Sequence, residues 1–129
     1  MRNIVAVIIA AMMILIGGAS SHAEKRVALV IGNQAYANAP ALRNPRNDAE
    51  DVAAALKRLD FETTVAFDLD KVGMDDAVIR FSRAARGADV TLFYYSGHAM
   101  QFSGINYLMP IDTKSLTQNF TWRTWALAR

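Results

Sequence analysis

The sequence predicts an α/β domain built on a mostly parallel sheet, and three observations carry that prediction. Two short apolar runs, Val27–Ile31 and Val90–Tyr95, have the length and the β-branched or aromatic content of buried strands. A third, less apolar run, Thr63–Phe67, lies between them. Each interval between successive runs holds one amphipathic segment of helix length. Strand–helix–strand twice in succession gives parallel strands joined by right-handed crossovers.

Taken in order, Val27–Ile31 is continuous apolar sequence stopped by Gly32-Asn33, as expected of a strand buried on both faces. The stretch 34–46 is rich in small residues and contains Pro40 and Pro45, so it reads as a loop. Asn47 followed three residues later by Glu50 has the spacing of a capping box and predicts a helix over Asp48–Leu59. Ala49, Val52, Ala53, Leu56 and Leu59 share one face of it. After Thr63–Phe67 comes the acidic turn Asp68-Leu69-Asp70. Met74, Ala77, Val78, Phe81 and Ala85 then define a second helix, Met74–Arg86, with Gly87 placed to end it. Of the three strands, Val27–Ile31 and Val90–Tyr95 are expected to be the most buried. Beyond His98, the runs 100–102 and 106–109 flank Ser103-Gly104 as a short hairpin closed by Pro110. The stretch 115–129 shows no convincing period, although Trp122, Trp125 and Ala126 are compatible with a short helix.

The chain has 129 residues and is 53% hydrophobic, but the excess is concentrated at the start. Arg2 precedes an almost wholly apolar run, Ile4–Ile16, and the small-residue exit Gly17–Ala23 follows. That is the layout of a secretory signal peptide cleaved after Ala23. A membrane anchor over residues 4–21 is the main alternative, since that uncharged run just reaches spanning length; a buried core helix is the other. Residues 24–113 form the predicted domain and 114–129 a separate tail. Of 14 basic residues, removing Arg2 leaves 13 against 12 acidic ones. With near-neutral charge and no basic run interleaved with aromatics, nucleic acid is not an expected partner. The sequence contains no cysteine, which excludes disulfides and thiolate metal sites within these residues. No metal site and no cofactor is expected. The stretch Gly32-Asn33-Gln34 is no phosphate-cradling loop, which argues against a flavodoxin-like nucleotide binder.

The candidate chemistry lies at the end of the third run, where Tyr94-Tyr95 leads into Ser96-Gly97-His98. A strand end in an open α/β sheet holds a side chain on a rigid scaffold, and imidazole is the usual general base for a nucleophile. Backbone N–H groups just beyond such a turn can face a developing oxyanion. Ser-Gly leaves room for a substrate backbone. A histidine at a strand end can equally serve structure alone, hydrogen-bonded to backbone.

These segments together resemble a known family. Lys25–Asn33, then Leu42-Arg43-Asn44-Pro45 with Asn47-Asp48-Ala49, then Phe93–His98 and Gly104–Asp112, are similar to the large-subunit half of the caspase-like cysteine peptidases, nearest the bacterial metacaspase-type members. The resemblance covers Lys25 to about Thr113. It implies a three-layer αβα sandwich and peptide hydrolysis by a Cys–His dyad. In that scheme His98 is the base and the Ala99 N–H is one oxyanion donor. Many members carry glycine at the latter position, and Ala99 offers the same N–H with less backbone freedom. Asp48 and Ser96 match positions that line a pocket for a basic P1 side chain. Asp48 can otherwise serve only to complement the helix dipole, and Arg43 would suit an acidic P1.

The family's nucleophile belongs to an Asp-x-Cys-type motif at the end of the next sheet strand, and no such segment occurs in these residues. The expected fold is therefore truncated before its last strands, and no nucleophile is assigned. Ser96 does not replace it, because its place on the same strand end does not align its oxygen with the His98 imidazole and a bound carbonyl. The expected function is a caspase-like cysteine endopeptidase domain that is inactive as written. The alternatives are a pseudoprotease that binds peptides or a partner, and a truncated reading frame. Expected partners are a peptide or protein substrate, or a complementary Cys-bearing half, with the membrane involved only through an uncleaved N-terminal segment. The expected location is exported, periplasmic or extracellular.

Overall fold

Strand β1 (Arg26–Gly32) occupies the middle of the sheet, with Val27 to Ile31 at most 2% exposed. The structure, a computed structural model, describes residues 23–114. Five strands and two helices follow in the order β1, α1 (Pro45–Arg58), β2 (Phe61–Phe67), α2 (Lys71–Ala84), β3 (Val90–Ser96), β4 (Ala99–Phe102) and β5 (Ile105–Leu108). The sheet order is β2-β1-β3 with both pairings parallel, and β4 and β5 form a separate antiparallel hairpin. The predicted α/β class, the three parallel strands, the intervening helices and the hairpin are all present.

The two helices cover opposite faces. On one, Ala49, Ala53 and Leu56 of α1 pack on Ala28 and Val30, flanked by Val65 and Leu92. On the other, Ala77 of α2 packs on Leu29 and Ile31, with Val78, Phe81, Phe93 and Tyr95 around them. Alternation along β1 thus feeds two cores, which is why its sequence is apolar throughout Val27–Ile31. The result is a helix–sheet–helix sandwich. The first crossover leads from β1 to β2 on one side, and the second passes back over β1 to β3 on the other. Such a reversal opens a crevice beyond the C-terminal ends of β1 and β3.

Several boundaries differ from the sequence reading. Helix α1 starts at Pro45, and Asn44 at its N-cap makes no side-chain capping bond, so the predicted Asn47–Glu50 box does not form. Proline is already set for the first helical position. Gly32 also admits the chain there: a β-carbon on it would lie 2.5 Å from the Pro45 carbonyl oxygen. At the far end Asp60 takes φ 61°, and β2 begins at Phe61, two residues earlier than expected. Arg26 holds this corner, donating to the Leu59 carbonyl at 3.0 Å.

Helix α2 begins at Lys71, with the Asp70 carboxylate accepting from the Gly73 N–H at 2.7 Å. Gly87 adopts φ 68°, as a terminating glycine should, but two residues beyond the C-cap Ala85. The ammonium of Lys25 lies on the Ala84 and Arg86 carbonyls at 2.8 and 3.1 Å, where a cation complements the helix end. Strand β3 is half-buried along its length rather than matching β1. Among the described residues it pairs on one side alone, which leaves its outer edge open. In the hairpin, Ser103 (φ 50°) and Gly104 (φ 76°) form the two-residue turn, both left-handed. The predicted signal peptide and the possible helix after residue 114 lie outside the described residues. Among the described residues, no helix is long and apolar enough to cross a membrane.

Candidate functional site

Asn33, the residue after β1, is fully buried and organises the crevice. Its N–H donates to the Ser96 carbonyl at 2.9 Å and so closes β1 onto the end of β3. Its carboxamide oxygen accepts from the Leu69 N–H at 2.9 Å, while Nδ2 donates to the Leu69 and Met109 carbonyls at 3.2 and 3.3 Å. One amide thereby ties together the ends of β1, β2 and β5. Asp68, in a left-handed conformation, accepts from the Gln34 and Ala35 N–H groups, both at 2.9 Å, and fixes the loop that leaves β1.

That loop carries Tyr36 into the crevice, where it is 8% exposed. Its hydroxyl accepts from the His98 N–H at 2.7 Å and lies 2.9 Å from the Tyr95 hydroxyl. Tyr95 in turn donates toward the carbonyls of His98 (3.0 Å) and Met109 (2.8 Å). Because the Tyr95 proton is committed to those carbonyls, Tyr36 is the donor between the two phenols. The order is His98 N–H to Tyr36, Tyr36 to Tyr95, and Tyr95 to the carbonyls. The Met109 N–H closes the circuit on the His98 carbonyl at 3.0 Å. Burial raises the Tyr95 pKa far above the usual phenol range. The Tyr36 pKa is also raised, chiefly by burial. Both phenols stay protonated and keep their donor roles at neutral pH.

Gly97 makes this circuit possible. A β-carbon there would stand 2.5 Å from the Tyr95 hydroxyl oxygen and 2.6 Å from that of Tyr36. Both tyrosine hydroxyls therefore fill the space that the sequence reading reserved for a substrate backbone.

The half-buried His98 imidazole tilts against the Tyr36 ring, with centroids 4.5 Å apart. Its Nε2 is 2.9 Å from the Pro40 carbonyl oxygen. A carbonyl only accepts, so the neutral ring carries its proton on Nε2 and its lone pair on Nδ1, which has no hydrogen-bond partner among the described residues. The bond from Met109 N–H to the His98 carbonyl makes Ala99 and Leu108 a non-hydrogen-bonded pair. The Ala99 N–H consequently points away from β5, at an exposed position. Asp48 lies exposed in the first turn of α1, and its carboxylate accepts from the Ser96 hydroxyl at 3.3 Å. Asp48 and Ser96, 48 positions apart, thus meet at the mouth of the crevice. The exposed Arg43 lies in the loop just before α1. Among the described residues, no group of three or more His, Cys, Asp or Glu side chains is arranged to hold a metal ion.

A parallel sheet with helices on both faces defines an α/β domain, and a histidine lies just past the end of β3, at the switch point of its sheet. The family model described as the caspase domain, Peptidase C14, matches residues 25–128. The chain belongs to that family. It is also 33% identical over 90 residues to the human "Mucosa-associated lymphoid tissue lymphoma translocation protein 1" and, to the same degree, to its mouse homolog. That alignment takes in 70% of this chain and 11% of each relative, so the chain spans about a ninth of the length of the curated relatives it matches.

Sequence reasoning singled out His98, Ala99, Asp48 and Ser96 but missed the atoms around the histidine. Tyr36 had one available signal, as the sole aromatic in a loop of small residues. The Pro40 carbonyl had none, being a backbone atom. Asn33 was read only as a strand stop.

Proposed function

We propose that this domain carries the base-bearing half of a caspase-type peptidase site, with His98 as the base. The observation that supports it most is the imidazole geometry: Nε2 is engaged by the Pro40 carbonyl, and among the described residues no partner meets the Nδ1 lone pair. In this reading Nδ1 takes the proton of a cysteine thiol, and the thiolate attacks the scissile carbonyl. The imidazolium then returns the proton to the departing amine. The Ala99 N–H is the donor to the oxyanion, which fits its outward direction. Asp48, backed by Ser96, is the counter-charge for a basic P1 side chain.

The 129 residues contain no thiol, so the chain by itself does not hydrolyse peptides. Loss of a nucleophile removes about 10⁶ in kcat in a triad hydrolase. Turnover then needs a Cys-bearing segment that completes the sheet beside β3, whose outer edge is unpaired among the described residues. The test mixes the chain with the Cys-bearing half of a related caspase-type domain and follows cleavage after Arg or Lys. The expected result is turnover from the mixture, none from either half, and none once His98→Ala is introduced. Turnover by the chain alone, or a mixture indifferent to His98→Ala, would refute it.

A second reading, a pseudoprotease that binds peptides, is favoured by the exposed Asp48–Ser96 pair, which needs no nucleophile to hold a cation. Binding of Arg-containing peptides with no turnover in any mixture would select it. We place the domain outside the cytoplasm, after cleavage of the N-terminal segment behind Ala23. The support is the sequence layout: Arg2, the apolar run Ile4–Ile16 and the small-residue exit Gly17–Ala23. N-terminal sequencing of exported protein beginning at Glu24 is the expected outcome, and a membrane-bound species retaining Met1 the contrary one.

A further inference from the structure

We infer that Tyr36 is a positioning residue for the His98 imidazole, acting through its hydroxyl as well as its ring. The inference rests on the reading of His98 as the base, but it concerns what aims that base. Among the described residues five contacts hold His98, and two of them come from Tyr36: the hydroxyl on the His98 N–H at 2.7 Å, and the ring against the imidazole at 4.5 Å. A third, the pull of Tyr95 on the His98 carbonyl, is coupled to Tyr36 by the bond between the phenols. The Pro40 carbonyl is the fourth, and it belongs to the same loop as Tyr36, six residues beyond the Gln34 that Asp68 fixes. The fifth is the Met109 N–H on the His98 carbonyl at 3.0 Å.

The chemistry gives this arrangement a purpose. Histidine follows Gly97, the backbone position with the most freedom, and among the described residues no strand pairs with the outer edge of β3 beside the dipeptide. Without a clamp, the His98 peptide plane would rotate and carry the ring off Pro40. Then Nε2 would lose its acceptor, and the proton could move to Nδ1, the nitrogen that has to be bare. The Tyr36 hydroxyl closes that route because it holds the main chain of the same residue whose ring it stacks. Its partner Tyr95 takes the Tyr36 proton, which leaves a Tyr36 oxygen lone pair facing the His98 N–H. The phenol therefore acts there as an acceptor only.

The test is nuclear magnetic resonance of the full chain. It reads solvent exchange of the His98 Nε2–H and backbone N–H, with His98→Ala used to assign the signals against His22. Tyr36→Phe keeps the ring and removes the hydroxyl; Tyr36→Leu removes both. Phe93→Leu, in the core beside Leu29 and Ile31, is the control for general loosening. A single hydrogen bond's net worth predicts exchange at both His98 sites faster by about 2- to 10-fold in Tyr36→Phe. Tyr36→Leu should exceed that. Phe93→Leu should move exchange across the core while leaving the two His98 sites in step with it. If Tyr36→Phe does not fold, Tyr95→Phe removes the hydroxyl relay from the other end and is expected to speed the same two sites. Unchanged exchange in the folded hydroxyl variants would overturn the inference. So would a His98 response no larger than that of Phe93→Leu at matched loss of stability. Since no readout depends on hydrolysis, failure of the reconstituted mixture to cleave peptides would refute the proposed function and leave this result standing.

Discussion

The Pro45 carbonyl oxygen stands 2.5 Å from the position a β-carbon on Gly32 would take, so the end of β1 and the start of α1 touch backbone to backbone. That contact sets where α1 begins and hence where Asp48 faces Ser96. Gly32→Ala pushes against a main-chain atom, with the Ala49 methyl also only 3.0 Å away. The expected cost is about 1–3 kcal/mol of stability, as for an overpacked core. Denaturant unfolding measures it, and a crystal structure of the variant should show the α1 N-terminus displaced.

Gly97→Ala should act on the histidine more directly. Its methyl group would collide with both phenolic oxygens, each within 2.6 Å. Tyrosine side chains can swing, so the fold is expected to survive with a loss of about 1–3 kcal/mol. The circuit from Tyr36 to Tyr95 should open instead. Intrinsic tyrosine fluorescence and His98 chemical shifts are the measurements, and both should change while far-ultraviolet circular dichroism holds.

Asn33 offers the clearest case of a buried polar group that cannot be replaced cheaply. Asn33→Ala leaves the Leu69 N–H without its acceptor and removes a donor from the Leu69 and Met109 carbonyls. Each buried group left unsatisfied costs about 1–3 kcal/mol. Asn33→Asp should be no better, since a carboxylate would face two carbonyl oxygens. A lowered thermal midpoint in both variants, with Asn33→Ala near the limit of folding, is the expected outcome.

The phenols make stability fall in alkaline solution. Tyr36 and Tyr95 have folded pKa values raised above that of an unfolded tyrosine, about 10. Below that value both states keep the protons, and pH has no effect through these groups. Above it the unfolded chain releases protons that the folded chain retains, so stability drops as pH rises. Near-ultraviolet phenolate absorbance should therefore show Tyr36 and Tyr95 ionising only as the chain unfolds. Tyr36→Phe should reduce the steepness of the alkaline loss.

How much of this was legible follows from where each signal resides. Strand β1 was plain because apolar residues on both of its faces leave no ambiguity about double burial, and the helices were plain from the spacing of Ala49, Ala53 and Leu56 or of Met74 and Ala77. The helix start at Pro45 was misplaced because Asn47 and Glu50 have the right side chains for a cap, whereas the decisive term is a tertiary contact with Gly32. Strand β3 reads as buried in sequence yet is half-buried among the described residues, since apolar content does not say which edges are paired. In the candidate site, His98 was visible as an imidazole at a strand end, and Asp48 and Ser96 through the resemblance to the caspase-like family. The Pro40 carbonyl and the clamp by Tyr36 were not, because backbone acceptors carry no residue signature and a loop's course is set by distant bonds such as that from Asp68 to Gln34.

The most direct test of the account is the tautomer of His98 at a pH where the ring is neutral, read from long-range proton–nitrogen correlations of the imidazole. The account requires the proton on Nε2, shared with the Pro40 carbonyl, and an unprotonated Nδ1 able to accept from a thiol. A spectrum with Nδ1 in the protonated range, or one averaged equally between the two nitrogens, would contradict it.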